Sequence, residues 1–103
     1  MINKNITTTL EALVIYEPTT LADKIYRFLV GNALVRSSAE YSRWMGRSRT
    51  YHNTLRQQHR SPSPEAWTNL ASALGLLMER PLQRPTKAVL AAFLADIPHE
   101  VPQ

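Results

Sequence analysis

Between Ser37 and Glu65 the chain issues three helix-start signals and one firm stop, set so close together that only short, sharply connected helices fit there. Ser37-Ser38-Ala39-Glu40 is a capping box, in which the Ser37 hydroxyl takes up a free helix amide and Glu40 reaches back over the start. Gly46 ends that helix, because glycine enters the left-handed conformation at little cost. Ser48 is the second start signal, and it predicts a helix from Arg49 to about Gln58. Ser63-Pro64-Glu65 is the third, a capping serine followed by proline at the first helical position and an acid after it. A short helix, a turn opening on glycine and a second helix make a helix-turn-helix. Tyr41 and Met45, four apart, mark the inner face of its first helix. Ser42 beside them is small where two helices must cross closely.

The flanks are helical in the same sense. Leu21, Ile25, Phe28 and Leu29 share one helical face. Thr20 is placed to cap this helix, and Asp23 suits the positive end of its dipole. Gly31-Asn32 is the expected stop, with Ala33, Leu34 and Val35 as a potential extension. After Ser63, Ala66, Trp67, Leu70, Ala71 and Leu74 define a helix expected to end at Gly75. A polar connector, Glu79 to Arg84, precedes a last helix over Thr86 to Ile97, with Val89, Leu90, Phe93, Leu94 and Ile97 as its apolar stripe. The tail Pro98 to Gln103 reads as frayed. Thr7 to Tyr16 fits either a short helix (Leu10, Leu13, Val14) or a strand (Val14, Ile15, Tyr16). With no repeat and no βαβ alternation, the expected fold class is all-α: a compact bundle of about five helices around a central helix-turn-helix. At 103 residues it is expected to be a single domain, 1–103, with its core over 19–76, an extension over 1–18 and a C-terminal helix over 85–97.

Charge narrows the partner. Residues 36 to 60 hold Arg36, Arg43, Arg47, Arg49, Arg56 and Arg60 against the single acid Glu40, a local net of +5 in a chain whose total is +4. The rest of the sequence is therefore close to neutral, and the pI near 9.9 comes from one quarter of it. Such a local basic field favours nucleic acid, an anionic membrane or an acidic partner. No apolar run approaches the roughly 18 residues of a membrane span, and MINKNITTTLEAL does not read as a secretory leader. There is no cysteine, so neither a disulfide framework nor a thiolate site is available, which agrees with a cytoplasmic location. The hydrophobic fraction of 44% and mean hydropathy of −0.28 suit a globular protein.

The segments SSAEYSRWMGRSRTYHNTL and PSPEAWTNLASALGL resemble the lambdoid repressor and Cro (XRE-like) helix-turn-helix regulators. The resemblance covers Ser37 to Leu76, about 40% of the chain. Pro62, Ser63, Leu70, Ala71, Ala73, Leu74 and Gly75 carry the more specific half of it. Arg47 after the turn glycine and His52 at the inner position of the second helix stand where that family usually has aliphatic residues. Arg56 replaces a frequent acid, and Gln58 stands where a closing glycine is common, so the chain falls in a divergent branch. The resemblance implies a recognition helix, residues 49–58, lying in the major groove of double-stranded DNA. It implies base reading by Arg49, Thr50, Asn53 and Thr54, where arginine suits guanine, asparagine adenine, and a threonine methyl the thymine methyl. It further implies phosphate contacts from Ser37, Ser38, Arg43, Arg47, Ser48, Arg56 and Arg60, which position the domain without reading sequence.

Other constellations are thin. His52, His59 and His99 lack metal-ligand spacing, so no metal or other cofactor is expected. His52 reads as a helix residue packed on Tyr41, and Trp67 as core against the first helix. No nucleophile–base–orienter set and no glycine-rich phosphate loop stand out, so an enzyme is not expected. The stripe from Val89 to Ile97 is either a homodimer seam or a fold-back completing the core, and the segment around Leu10 to Ile15 is the other seam candidate. The reading is a transcriptional regulator, a homodimeric repressor on an inverted repeat. The alternatives are an antitoxin that also regulates its own operon, and a protein-binding anti-activator that keeps the fold.

Overall fold

Short polar side chains start three of the helices by taking up amides that the first turn leaves free. The computed structural model describes residues 20–101. In chain order the helices are α1 (Leu21–Gly31), α2 (Ser38–Trp44), α3 (Tyr51–Gln58), α4 (Pro64–Met78) and α5 (Arg84–Asp96), closed by a 3₁₀ turn at Ile97–Glu100. The described residues contain no strand, and the fold is an all-α bundle. Thr20 Oγ1 accepts from the Asp23 amide, Ser37 Oγ from Glu40 and Ser63 Oγ from Ala66, each at 3.2 Å. The Glu40 carboxylate reaches one residue further back than a capping box requires, and accepts from the Arg36 amide at 2.7 Å. The expected element at Thr7–Tyr16, the 1–18 extension with its candidate seam, and the last two residues lie outside the described residues.

Left-handed residues end the first three helices. Gly46 (φ +73) lets its own amide donate to the Arg43 carbonyl at 2.8 Å and the Arg47 amide to the Ser42 carbonyl at 3.1 Å, a Schellman closure of α2. Ala33 (φ 58) closes α1 in the same way, with Ala33 bonded to Val30 at 3.0 Å and Leu34 to Leu29 at 2.8 Å. The expected stop at Gly31-Asn32 is thus in the right place, but Gly31 is an ordinary helical residue and alanine takes the strained position. His59 (φ 54), not Gln58, plays that part at the end of α3.

The core gathers on α4. Trp67, Leu70 and Leu74 are sealed against Ile25 and Leu29 of α1, Tyr41 and Met45 at the end of α2, and Leu90 of α5. Trp67 is 1% exposed, as expected of a core residue, although no acceptor among the described residues reaches its indole nitrogen. Phe93 meets Phe28 edge-on at 5.6 Å, Leu90 and Ile97 are buried, and Leu94 packs beside them. The α5 stripe therefore folds back onto the core. This also corrects the expected frayed tail: burial of Ile97 holds the 3₁₀ turn through Glu100.

Three boundaries differ from expectation. Helix α4 continues through Gly75 to Met78, because Leu77 remains buried one turn further on and helical glycine costs only about 1 kcal/mol. Helix α5 begins at Arg84 rather than Thr86, with Pro85 in its first turn, where a missing amide is harmless. Helix α3 begins at Tyr51, not Arg49. Ser48 does not cap it: the Ser48 carbonyl accepts from Tyr51 at 3.0 Å in a tight turn, while its hydroxyl lies 3.5 Å from that of Thr50.

Candidate nucleic-acid interface

Helix α3 has a sharply divided surface. His52 (1% exposed) and Leu55 (6%) face inward, whereas Asn53, Thr54, Arg56 and Gln57 face solvent. Arg49 and Thr50 are exposed in the turn that leads into it. The base-reading set expected from sequence thus forms one exposed surface, half on the helix and half on the turn before it. Gly46 fixes the approach of that turn, since a β-carbon there would collide with the Asn69 side-chain amide, which donates to the Met45 carbonyl at 3.0 Å.

The expected phosphate-binding residues divide into free and engaged groups. Arg43, like the base-reading candidate Arg49, is exposed and makes no ion pair among the described residues. Arg60 is exposed, and its guanidinium donates to Gln58 Oε1 at 3.3 Å. Arg56 lies 4.0 Å from the Asp23 carboxylate and is half exposed. Ser48 is exposed at the turn. Arg47 is clasped more firmly: Nη2 donates to Ser63 Oγ at 3.0 Å and to Glu65 Oε1 at 3.1 Å, and the guanidinium lies 5.5 Å from the Tyr51 ring centre. The Tyr51 hydroxyl in turn accepts from the Ser63 amide at 3.0 Å. Arg47 and Tyr51 therefore tie the α3–α4 connection together. Ser37 is occupied as a cap and Ser38 in the network below, so the hydroxyls of both serve the protein itself.

That network was not visible in the sequence. His52 Nε2 lies 3.0 Å from Asp23 Oδ1 and its Nδ1 lies 2.9 Å from Ser38 Oγ, which is itself 3.2 Å from Asn53 Oδ1. The His52 ring is held between Tyr26 and Tyr41, at centroid distances of 4.6 and 4.8 Å. Ser42 Oγ accepts from the His52 amide at 2.9 Å and donates to the Ser38 carbonyl at 2.8 Å. The small residue at the crossing of α2 and α3 is thus also their hydrogen-bond bridge. Tyr41 donates its hydroxyl to the Ala22 carbonyl at 2.7 Å. Burial first, and the nearby Asp23 charge second, push the Tyr41 phenol well above its ordinary value.

For His52 the balance runs the other way. Burial lowers its pKa below the ordinary 6.5, outweighing the Asp23 hydrogen bond and charge that raise it, and Arg56 adds to the lowering. The imidazole is therefore neutral at pH 7. Hydroxyl, imidazole and carboxylate stand here in the order of a nucleophile, base and orienter. The imidazole, 1% exposed, bonds to Asp23 of α1 and Ser38 of α2 and so links α1, α2 and α3. The sequence placed His52 against Tyr41 and read Asp23 only as a helix-start acid. The true partner of Asp23 is 29 residues away.

One apolar groove, of about 320 Å³, lies apart from this surface between Trp44, Ala73, Leu76, Leu77 and Arg80. No helix is long and apolar enough to cross a membrane among the described residues. A family model described as a family of unknown function (DUF6626) matches residues 22–99. The chain belongs to that family. The DUF6626 match begins at Ala22, whose carbonyl receives the Tyr41 hydroxyl, and ends at His99 in the 3₁₀ turn, so the family unit includes α1 and α5 as well as the central helices. No curated protein and no solved structure matches the chain.

Proposed function

We propose that this protein is a sequence-specific DNA-binding transcriptional regulator that reads double-stranded DNA with α3 and the turn before it. One observation carries the reading: Arg49, Thr50, Asn53 and Thr54 are all exposed at the start of a helix whose other face is sealed by His52 and Leu55. Polar, hydrogen-bonding side chains at the leading end of such a helix match base edges in the major groove. Arg43, Arg56 and Arg60 supply cations that grip phosphates to either side. The XRE-like resemblance supports the same mechanism, with a cytoplasmic homodimer on an inverted repeat repressing by occupying a promoter.

Selection of bound fragments from a random duplex pool tests this, and a palindromic consensus is the expected result. On the selected duplex, Arg49→Ala loses about 1–3 kcal/mol and relaxes the base preference at one position, while Arg43→Ala weakens selected and random duplexes alike. Binding that ignores salt would overturn the proposal, because each neutralised phosphate contributes roughly 0.9 to the slope of log K against log salt.

A second reading, a protein-binding antitoxin or anti-activator, is favoured by the groove beside Trp44 and by Leu76, which is 66% exposed on its rim. Salt-insensitive capture of a protein, with no duplex selected, is its distinguishing result.

A further inference from the structure

Of the four proposed base-reading residues, Asn53 is tied into the protein interior, through Ser38, His52 and Asp23. The tie has a direction, because each link holds a limited number of protons. A carboxylate accepts only, so the proton on the imidazole nitrogen facing Asp23 belongs to Nε2. In neutral His52 the other nitrogen, Nδ1, is then an acceptor and takes the single Ser38 hydroxyl proton. The Ser38 oxygen is left as an acceptor towards Asn53, and it calls for the amide NH₂. When His52 is protonated, Nδ1 becomes a donor to Ser38. The hydroxyl proton turns to Asn53, and it calls for the amide oxygen. The contact as it stands, Ser38 Oγ to Asn53 Oδ1 at 3.2 Å, has the order of this second kind, so neutral His52 requires the Asn53 amide to be turned over.

The ring cannot evade this logic by swinging out. It lies between Tyr26 and Tyr41, and its backbone amide is bonded to Ser42. The charged and titratable groups facing it are Asp23 and Tyr26 from α1, Tyr41 from α2 and Arg56 from its own helix.

We propose that Ser38 and His52 are positioning residues that set which way round Asn53 presents its donor and acceptor to a base, and that protonating His52 reverses that order. An asparagine amide pairs with adenine by donating to N7 while accepting from N6, so the order along the groove decides whether the pair forms. This rests on the DNA-reading role of Asn53 proposed above; the proton relay itself does not.

The test has two arms, both on the full chain. In the first, nitrogen-15 resonances of His52 and of the Asn53 side-chain amide are followed through a pH titration without DNA. Neutral His52 is expected to carry its proton on Nε2, and the Asn53 amide to shift with the His52 midpoint. Ser38→Ala should uncouple the two while His52 still titrates, and Ser38→Thr, which keeps the hydroxyl, should restore the coupling. An Asn53 amide that stays still through the wild-type titration, or still follows His52 in Ser38→Ala, overturns the relay. The wild-type measurement decides even if Ser38→Ala fails to fold.

In the second arm, the selected duplex is varied at the base pair that Asn53 contacts and bound above and below the measured midpoint. The base preference should change by about tenfold, within the range one bidentate pair supplies, and should be flat with pH in Ser38→Ala. The preference at the Arg49 position should not move in either protein. A relay seen by resonance with no duplex selected defeats the DNA reading and the base-setting role together. A selected duplex whose preference at Asn53 ignores His52 protonation defeats the inference alone.

Discussion

Replacing Gly46 with alanine isolates what the turn between α2 and α3 costs any other residue. The backbone there has φ +73, and an L-residue in the left-handed region costs about 1–2 kcal/mol. The new β-carbon also meets the Asn69 side chain, with Cγ only 3.3 Å away and the amide nitrogen nearer still. That amide donates to the Met45 carbonyl at 3.0 Å, so moving it aside forfeits a hydrogen bond worth about 0.5–1.5 kcal/mol. Alanine recovers roughly 0.4–1 kcal/mol by restricting the unfolded chain. Strain and lost bonding outweigh that gain, and Gly46→Ala should lose about 1–2.5 kcal/mol. The assay is urea unfolding followed by circular dichroism, where a lower midpoint at unchanged slope reports a true stability change. Gly75→Ala is the internal control. Gly75 sits in α4 with nothing within 4 Å of an added β-carbon, and the substitution should gain about 0.5–1 kcal/mol. A Gly46→Ala midpoint equal to wild type, or both substitutions acting in the same direction, would refute the reasoning.

Stability should also depend on His52. Its folded pKa lies below the ordinary 6.5, so the unfolded chain takes up a proton first as pH falls. This contribution is fully present above about pH 6.5 and is lost as pH drops below it towards the folded value; His52→Gln should remove that dependence from a series of urea midpoints. Tyr41→Phe deletes the buried donor to the Ala22 carbonyl and leaves that acceptor unpaired, for an expected loss of about 1–3 kcal/mol by thermal unfolding. Ala33→Gly relieves a left-handed alanine at the end of α1 and should raise the unfolding free energy by up to about 1 kcal/mol, read as a higher urea midpoint, whereas a loss would show that this closure carries no strain.

Three helix starts were legible because they are local chemistry: Thr20, Ser37 and Ser63 each cap the amide three residues on, whereas Ser48, in the same relation to Tyr51, does not. The turn at Gly46 was legible for the same reason: only glycine takes that conformation cheaply. The stops at Ala33 and His59 were not, because neither residue type marks a left-handed backbone in the sequence. Gly75 misled in the opposite sense, since burial of Leu77 carries α4 past it. Asn53 and Thr54 are exposed where the helical period puts them, opposite Leu55, whereas Arg49 and Thr50 are exposed in a turn that the sequence read as helix. The engagement of Arg47 with Ser63 and Glu65 could not be read from the helical period.

By itself, then, the sequence determined an all-α chain with a sharp glycine turn and a single basic quarter, because capping, period and charge are properties of neighbours along the chain. Tertiary structure decided that the α5 stripe seals the core and which groups bond to His52, a residue the sequence already placed at the inner position of α3. It also joined Asp23, Ser38, His52 and Asn53 into one hydrogen-bonded line. Those partners stand on three helices, and a bond spanning 29 residues leaves no periodic trace. Only the crossing of α1, α2 and α3 brings a carboxylate, an imidazole and a hydroxyl within reach of one another.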